Sequence, residues 1–106
     1  MKIYIDGQNN PKRPGWAHCR TFEELKALLS TADLSKVELI YIGRNLEDEN
    51  GERFPAFDMY DCAVELISAY MGKPIPECTV ASKSAADLLH YYNVSYNYTD
   101  KCTEIN

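Results

Sequence analysis

Three short apolar runs alternate with segments of helical period, and this alternation constrains the fold more than any other feature. Residues 2–5 (Lys-Ile-Tyr-Ile), 37–42 (Val-Glu-Leu-Ile-Tyr-Ile) and 77–81 (Glu-Cys-Thr-Val-Ala) have the length and composition of strands. The middle run is almost continuously apolar, as a strand buried on both faces must be. A first helix starts at Thr21, an N-cap whose partner Glu24 completes a capping box, and Phe22, Leu25, Leu28 and Leu29 form its apolar face. In residues 56–71, Phe57, Tyr60, Val64, Ile67 and Met71 recur at three- and four-residue steps. That spacing predicts a second helix with Val64 and Ile67 turned toward the sheet. Gly72 and Pro74 stop it. Ser82 or Ser84 caps a third helix running to about Tyr92, with Leu88, Leu89 and Tyr92 inward.

Strands alternating with helices imply parallel pairing through right-handed crossovers. The expected fold is α/β: one domain over residues 1–106, a small three-layer βαβαβα unit with a short parallel sheet. Successive right-handed crossovers on opposite faces are expected to place the first strand between the other two. Residues 6–20 read as a polar loop, punctuated by Pro11, Pro14 and Gly15. Residues 43–55 read as an acidic loop holding Glu47, Asp48, Glu49 and Glu52, with a turn at Asn50-Gly51. In the 93–106 tail, Val94, Tyr96 and Tyr98 alternate with polar residues, which predicts an additional edge strand.

Composition narrows the function classes. The formal net charge of −5 argues against binding to a nucleic-acid backbone, which requires clustered lysine and arginine, and suits a basic partner. No apolar run has the length of a membrane span. The early charges Lys2 and Asp6 are unlike a secretory leader, so a cytoplasmic location is expected. The cysteines Cys19, Cys62, Cys78 and Cys102 have no Cys-x-x-Cys spacing and read as reduced packing thiols. His18-Cys19 has no second cluster to complete a metal site.

In α/β proteins chemistry collects at the carboxyl ends of the strands. Here those ends read Asp6-Gly7-Gln8, Gly43-Arg44-Asn45 and Ser82-Lys83. Asp6 is the one carboxylate where a metal or phosphoryl site needs two or three. No metal ligand set, no cofactor and no catalytic residue is therefore assigned.

The amino end carries a family likeness. Met1-Lys2-Ile3-Tyr4-Ile5-Asp6-Gly7, Pro14-Gly15-Trp16 and Cys19-Arg20-Thr21-Phe22-Glu23-Glu24 resemble the pattern of the cyclic-phosphate-processing receiver-like domains. That pattern begins Met-Lys-Ile-Tyr-Leu-Asp-Asp, continues through Gly-Trp and Arg-Thr into a helix, and follows its second strand with Leu-Asp-His-Asp-Leu-Gly. The resemblance spans roughly residues 1–92 and implies a receiver-like fold. The departures fall on the chemistry. Gly7 replaces the second aspartate, Gly43 and Asn45 replace two more, and Arg44 and Ala81 replace two histidines. Only Asp6 and Ser82 carry over, with Arg44 and Lys83 beside them as a remnant cluster.

The expectation is a non-enzymatic, acidic protein-binding module. Its binding surface is placed on Glu47, Asp48, Glu49, Glu52, Asp58 and Asp61, and its partner is a basic protein surface such as a nucleic-acid-binding enzyme. Direct nucleic-acid or membrane binding is not expected. By analogy of size and charge, such a chain suits a phage or mobile-element inhibitor, including the anti-CRISPR class, acting in the host cytoplasm. The alternative is a phosphoesterase or cyclic-phosphate-processing enzyme using Asp6 and Ser82, and a third reading is a plain structural or oligomer-forming domain. Each residue also has a plainer reading. Asp6 ties loop amides, Ser82 and Ser84 cap a helix, the acidic run is a solvated face, and Trp16 packs against the core or is an exposed anchor.

Overall fold

The computed structural model describes residues 1–48, 50–51 and 59–99. Five strands form one parallel sheet: β1 (Lys2–Ile5), β2 (Trp16–Cys19), β3 (Leu39–Ile42), β4 (Glu77–Val80) and β5 (Asn97–Tyr98). Helices α1 (Phe22–Thr31), α2 (Met59–Ala69) and α3 (Lys83–Tyr91) connect β2 to β3, β3 to β4 and β4 to β5. The α/β class and the parallel sheet are as expected, and the period-two tail supplies the edge strand β5.

The sheet order is β2-β1-β3-β4-β5, the order of flavodoxin-like doubly wound folds. This corrects two expectations. The chain read as loop from 6 to 20 contains β2, an edge strand paired with β1 from Lys2↔Trp16 to Ile5↔Cys19. Four residues next to Pro14 and Gly15 are too few to stand out from a loop, although Trp16 and His18 do alternate with Ala17 and Cys19. Second, of the three expected strands it is β3, not β1, that lies in the middle, between β1 and β4. All three helical crossovers step in the same direction across the sheet, so right-handed connections place α1, α2 and α3 on one face.

One core joins that face to the helices. Ile3, Ile5, Ile40, Ile42, Cys78 and Val80 point toward the helices and pack with Leu25, Leu29, Met59, Leu66, Leu88 and Leu89. The opposite face alternates with it. Tyr4 and Tyr41, partners in register, are fully buried there and stack at 4.6 Å between ring centroids. Trp16 and His18 set their rings edge-on to Tyr4 at 5.4 and 5.3 Å, so Trp16 is a half-buried packing residue. The β1–β2 connection steps in the reverse direction, so the same handedness rule carries it over this second face as the third layer.

Helix ends follow the sequence. Thr21 Oγ1 accepts the Glu24 N–H, Ser82 Oγ accepts the Ala85 N–H, and Asp33 caps a short 3-10 turn at Leu34–Lys36. Gly72 adopts φ +79°, the left-handed conformation that ends the second helical segment at low cost.

The face of α2 is corrected. Met59, Cys62, Ala63, Leu66 and Tyr70 are buried, whereas Tyr60, Val64 and Met71 are exposed and Ile67 is half-buried. Phe57 lies outside the described residues. The apolar spacing was real, but a parallel set one residue away has the same period, and its small members Cys62 and Ala63 let the helix approach the sheet closely. Tyr92 is likewise exposed rather than inward.

Candidate functional site

The switch point of a doubly wound sheet lies where the connections leaving neighbouring strands diverge. Here that is between the carboxyl ends of β1 and β3. The segments leaving β1, β2 and β3 are stitched together by main-chain hydrogen bonds. Gly7 N donates to Asn45 O at 2.6 Å, Gly43 N to Ile5 O at 2.8 Å and Glu47 N to Arg20 O at 2.8 Å.

Asp6 lies at the centre with no solvent exposure. Oδ1 accepts the N–H groups of Gln8 at 2.7 Å and Asn9 at 3.0 Å. Oδ2 accepts Asn9 Nδ2 at 3.2 Å and the Arg44 N–H at 3.3 Å. Each oxygen therefore has two donors, which is its ordinary capacity. A cation or phosphoryl group could reach this carboxylate only by displacing them. The main-chain oxygen of Asp6 is also engaged, 2.7 Å from His18 Nε2.

The two glycines close the space around it. A Cβ at Gly43 would overlap the Asp6 carboxylate, and a Cβ at Gly7 would lie 2.5 Å from Glu47 N and Cγ and 2.8 Å from Arg20 O. These are two of the positions where the resemblance leads one to look for further carboxylates. Neither has room for any side chain, because the loops have packed onto each other.

Arg20 holds the outer wall, a role the sequence reading missed. Its Nε donates to Glu47 Oε2 at 3.1 Å and Nη2 to Glu47 Oε1 at 2.5 Å. Nη2 also donates to Gly7 O at 2.7 Å, and Nη1 donates to Asn10 Oδ1. The hydrogen bonds from Arg20 hold the Glu47 carboxyl below the ordinary glutamate range, against the opposing effect of burial. The signal for this was present in the Arg20-Thr21 pair but pointed to no partner.

Each of the other three residues of the remnant cluster has a contact of its own. Arg44 is exposed, and its Nε lies 3.4 Å from Ala81 O. Ser82 is occupied as the N-cap of α3 and bonds Ser84 at 3.1 Å. Lys83 pairs with Asp87 at 3.7 Å on the helix surface.

The three described members of the acidic set have separate surroundings. Glu47 is committed to Arg20. Asp48 is half-buried and accepts the Asn50 N–H at 2.9 Å, capping the turn that Gly51 completes with φ +80°. Asp61 is exposed on the first turn of α2. Glu49, Glu52 and Asp58 lie outside the described residues.

Among the described residues no group of three or more His, Cys, Asp or Glu side chains is gathered as a metal would require, and no helix is long and apolar enough to cross a membrane. No family model, curated protein or solved structure matches the chain.

Proposed function

We propose that this chain is a non-enzymatic, acidic protein-binding module on a receiver-like fold whose chemical site has closed. One observation carries this reading: Asp6, the carboxylate at the end of β1, is buried with both oxygens saturated by donors from Gln8, Asn9 and Arg44. A receiver-type reaction needs an accessible carboxylate and a cation held by several oxygens. The net charge of −5 favours a basic partner. A nucleic-acid-handling enzyme offers such a surface, and an inhibitor that occupies its channel, as an anti-CRISPR protein does, fits this size and charge.

Two measurements test the reading. Incubation with bis-p-nitrophenyl phosphate and millimolar magnesium or manganese is expected to release no nitrophenol above buffer; release that Asp6→Ala abolishes would overturn the proposal. A partner recovered by affinity capture and purified is expected to associate more slowly as salt rises, and roughly tenfold more slowly with Asp48→Lys/Asp61→Lys. An association rate indifferent to both would remove the acidic surface from the reading.

A further inference from the structure

The structure assigns a cation-binding groove to the outer surface of α2 and α3, at a distance in sequence from the acidic loop. We propose that the groove walled by Tyr60, Tyr91 and Tyr92, with Asp87 on its lining, takes an arginine side chain from a basic segment of a partner protein. This rests on the binding-module reading and names the place and chemistry of contact.

The helix geometry builds the groove. α3 buries Ala85, Ala86, Leu88 and Leu89, which leaves Asp87 and Tyr91, four residues apart, as neighbours on its outer ridge. Tyr92 caps the helix through its own N–H to Leu88 O at 3.1 Å, so its backbone is fixed while its ring projects. Tyr91 and Tyr92 meet edge to face at 5.1 Å. Tyr60 faces them from the first turn of α2, because the core uses Met59, Cys62 and Ala63 instead. The groove has a volume of about 410 Å³ and is floored by Leu88. Tyr60 is 44% exposed, Tyr92 54% and Tyr91 77%, so three aromatic rings stand at the surface together.

The chemistry selects a cation. Tyrosine faces attract positive charge, and a carboxylate beside them adds charge-assisted hydrogen bonds. The Lys83–Asp87 pair is 3.7 Å long with side chains 83% and 69% exposed, a contact a better-placed cation displaces. Arginine suits the groove better than lysine, because its flat guanidinium stacks on rings while bonding a carboxylate. A second, smaller groove of about 200 Å³ lies on the other side of Asp87, with Tyr96 and Tyr98 among its lining. Two tyrosine-walled grooves sharing one carboxylate fit a segment bearing more than one cationic residue.

The test is an NMR titration of the protein with tetra-arginine, tetra-lysine and tetra-glutamate peptides. Tetra-arginine is expected to shift amide and ring signals of Tyr60, Asp87, Tyr91 and Tyr92, and to bind several-fold more tightly than tetra-lysine; tetra-glutamate is expected to have no effect. Tyr91→Ala/Tyr92→Ala should weaken tetra-arginine roughly tenfold or more with an unchanged circular dichroism spectrum, and Asp87→Asn should reduce the salt dependence. Shifts confined to residues 47–51 would overturn the groove while leaving the binding-module reading standing. Unchanged affinity in the double variant would overturn it too, as would a dimer in sedimentation that Tyr91→Ala/Tyr92→Ala dissociates, which would give the face to a second copy. Absence of any peptide binding overturns the groove alone, since the module is judged on its own captured partner.

Discussion

Gly43 sits directly against the carboxylate of Asp6, so that the three heavy atoms nearest to any Cβ placed at 43 all belong to the Asp6 side chain. The two residues end adjacent strands, β1 and β3, at the switch point of the sheet. A position that would hold a ligand in an open site here holds nothing beyond hydrogen, and the carboxylate fills the room. The loops on either side are then close enough to bond each other through their main chains.

This contact predicts a coupled pair. Gly43→Ala should cost about 1–3 kcal/mol, the range for forcing a methyl group into a packed region. Asp6→Gly should cost about 1–3 kcal/mol for each buried donor it leaves unmatched. Combined, the two should interact by about 1 kcal/mol or more, because removing the carboxylate makes room for the methyl group. Urea denaturation of the four proteins measures the cycle. Simple additivity would show that the crowding at Gly43 is not what closes the site.

The helical packing gives a second comparison. Leu66 is 2% exposed and Val64 is 39% exposed. Leu66→Ala is expected to cost about 2–5 kcal/mol, and Val64→Ala under about 0.5 kcal/mol. Chemical denaturation of both variants decides which stripe of α2 meets the sheet, and the reverse ranking would restore the stripe read from the sequence.

The buried thiols give a third. Burial pushes the Cys19 thiol up to about 12 and the Cys78 thiol up to about 11, with Glu24 and Glu77 each adding repulsion. A raised thiol value means that folding favours the protonated form. The corresponding stability is fully present below the unfolded value of 9.0 and is lost as pH rises toward 11 and 12. The midpoint of denaturation should therefore fall over that window, and less steeply in Cys19→Ala or Cys78→Ala. At about pH 8 both thiols should react with Ellman's reagent only after unfolding. Rapid native labelling of Cys19 or Cys78 would contradict their burial.

The parts of this fold that were legible in the sequence are those with local signatures. The capping box at Thr21–Glu24, the apolar run ending at Ile42 and the alternation through Tyr98 each carry their own period or cap. Strand β2 was hidden because its four residues pair with β1 at an edge and need no long apolar run. The face of α2 was hidden because small residues at Cys62 and Ala63 weigh little in a hydrophobic pattern yet allow the closest packing. At the site, the scarcity of carboxylates after β1, β3 and β4 was readable residue by residue. The closure was not, because it depends on Arg20 meeting Glu47 across 27 positions of chain. No local pattern encodes a contact of that range.

That same contact makes the fourth prediction and changes how the acidic loop should be tested. The Arg20 hydrogen bonds depress the Glu47 carboxyl, so folding favours its ionised form. Stability from this source is present above the unfolded glutamate value of 4.5 and is lost as pH falls through the lower folded value. The pair is partly exposed, with side chains 37% and 14% accessible, so salt should also weaken it. The difference in denaturation midpoint between the native chain and Glu47→Gln should be largest near neutral pH and shrink as pH falls below 4.5 through the depressed folded value. A difference that stays constant with pH would mean that the carboxylate charge is not what secures the wall. Glu47→Lys should be worse than Glu47→Gln at neutral pH, because it sets a second cation beside Arg20. Charge reversal aimed at partner binding therefore belongs on exposed Asp61 and, with the fold checked by circular dichroism because its carboxylate accepts the Asn50 N–H, on Asp48.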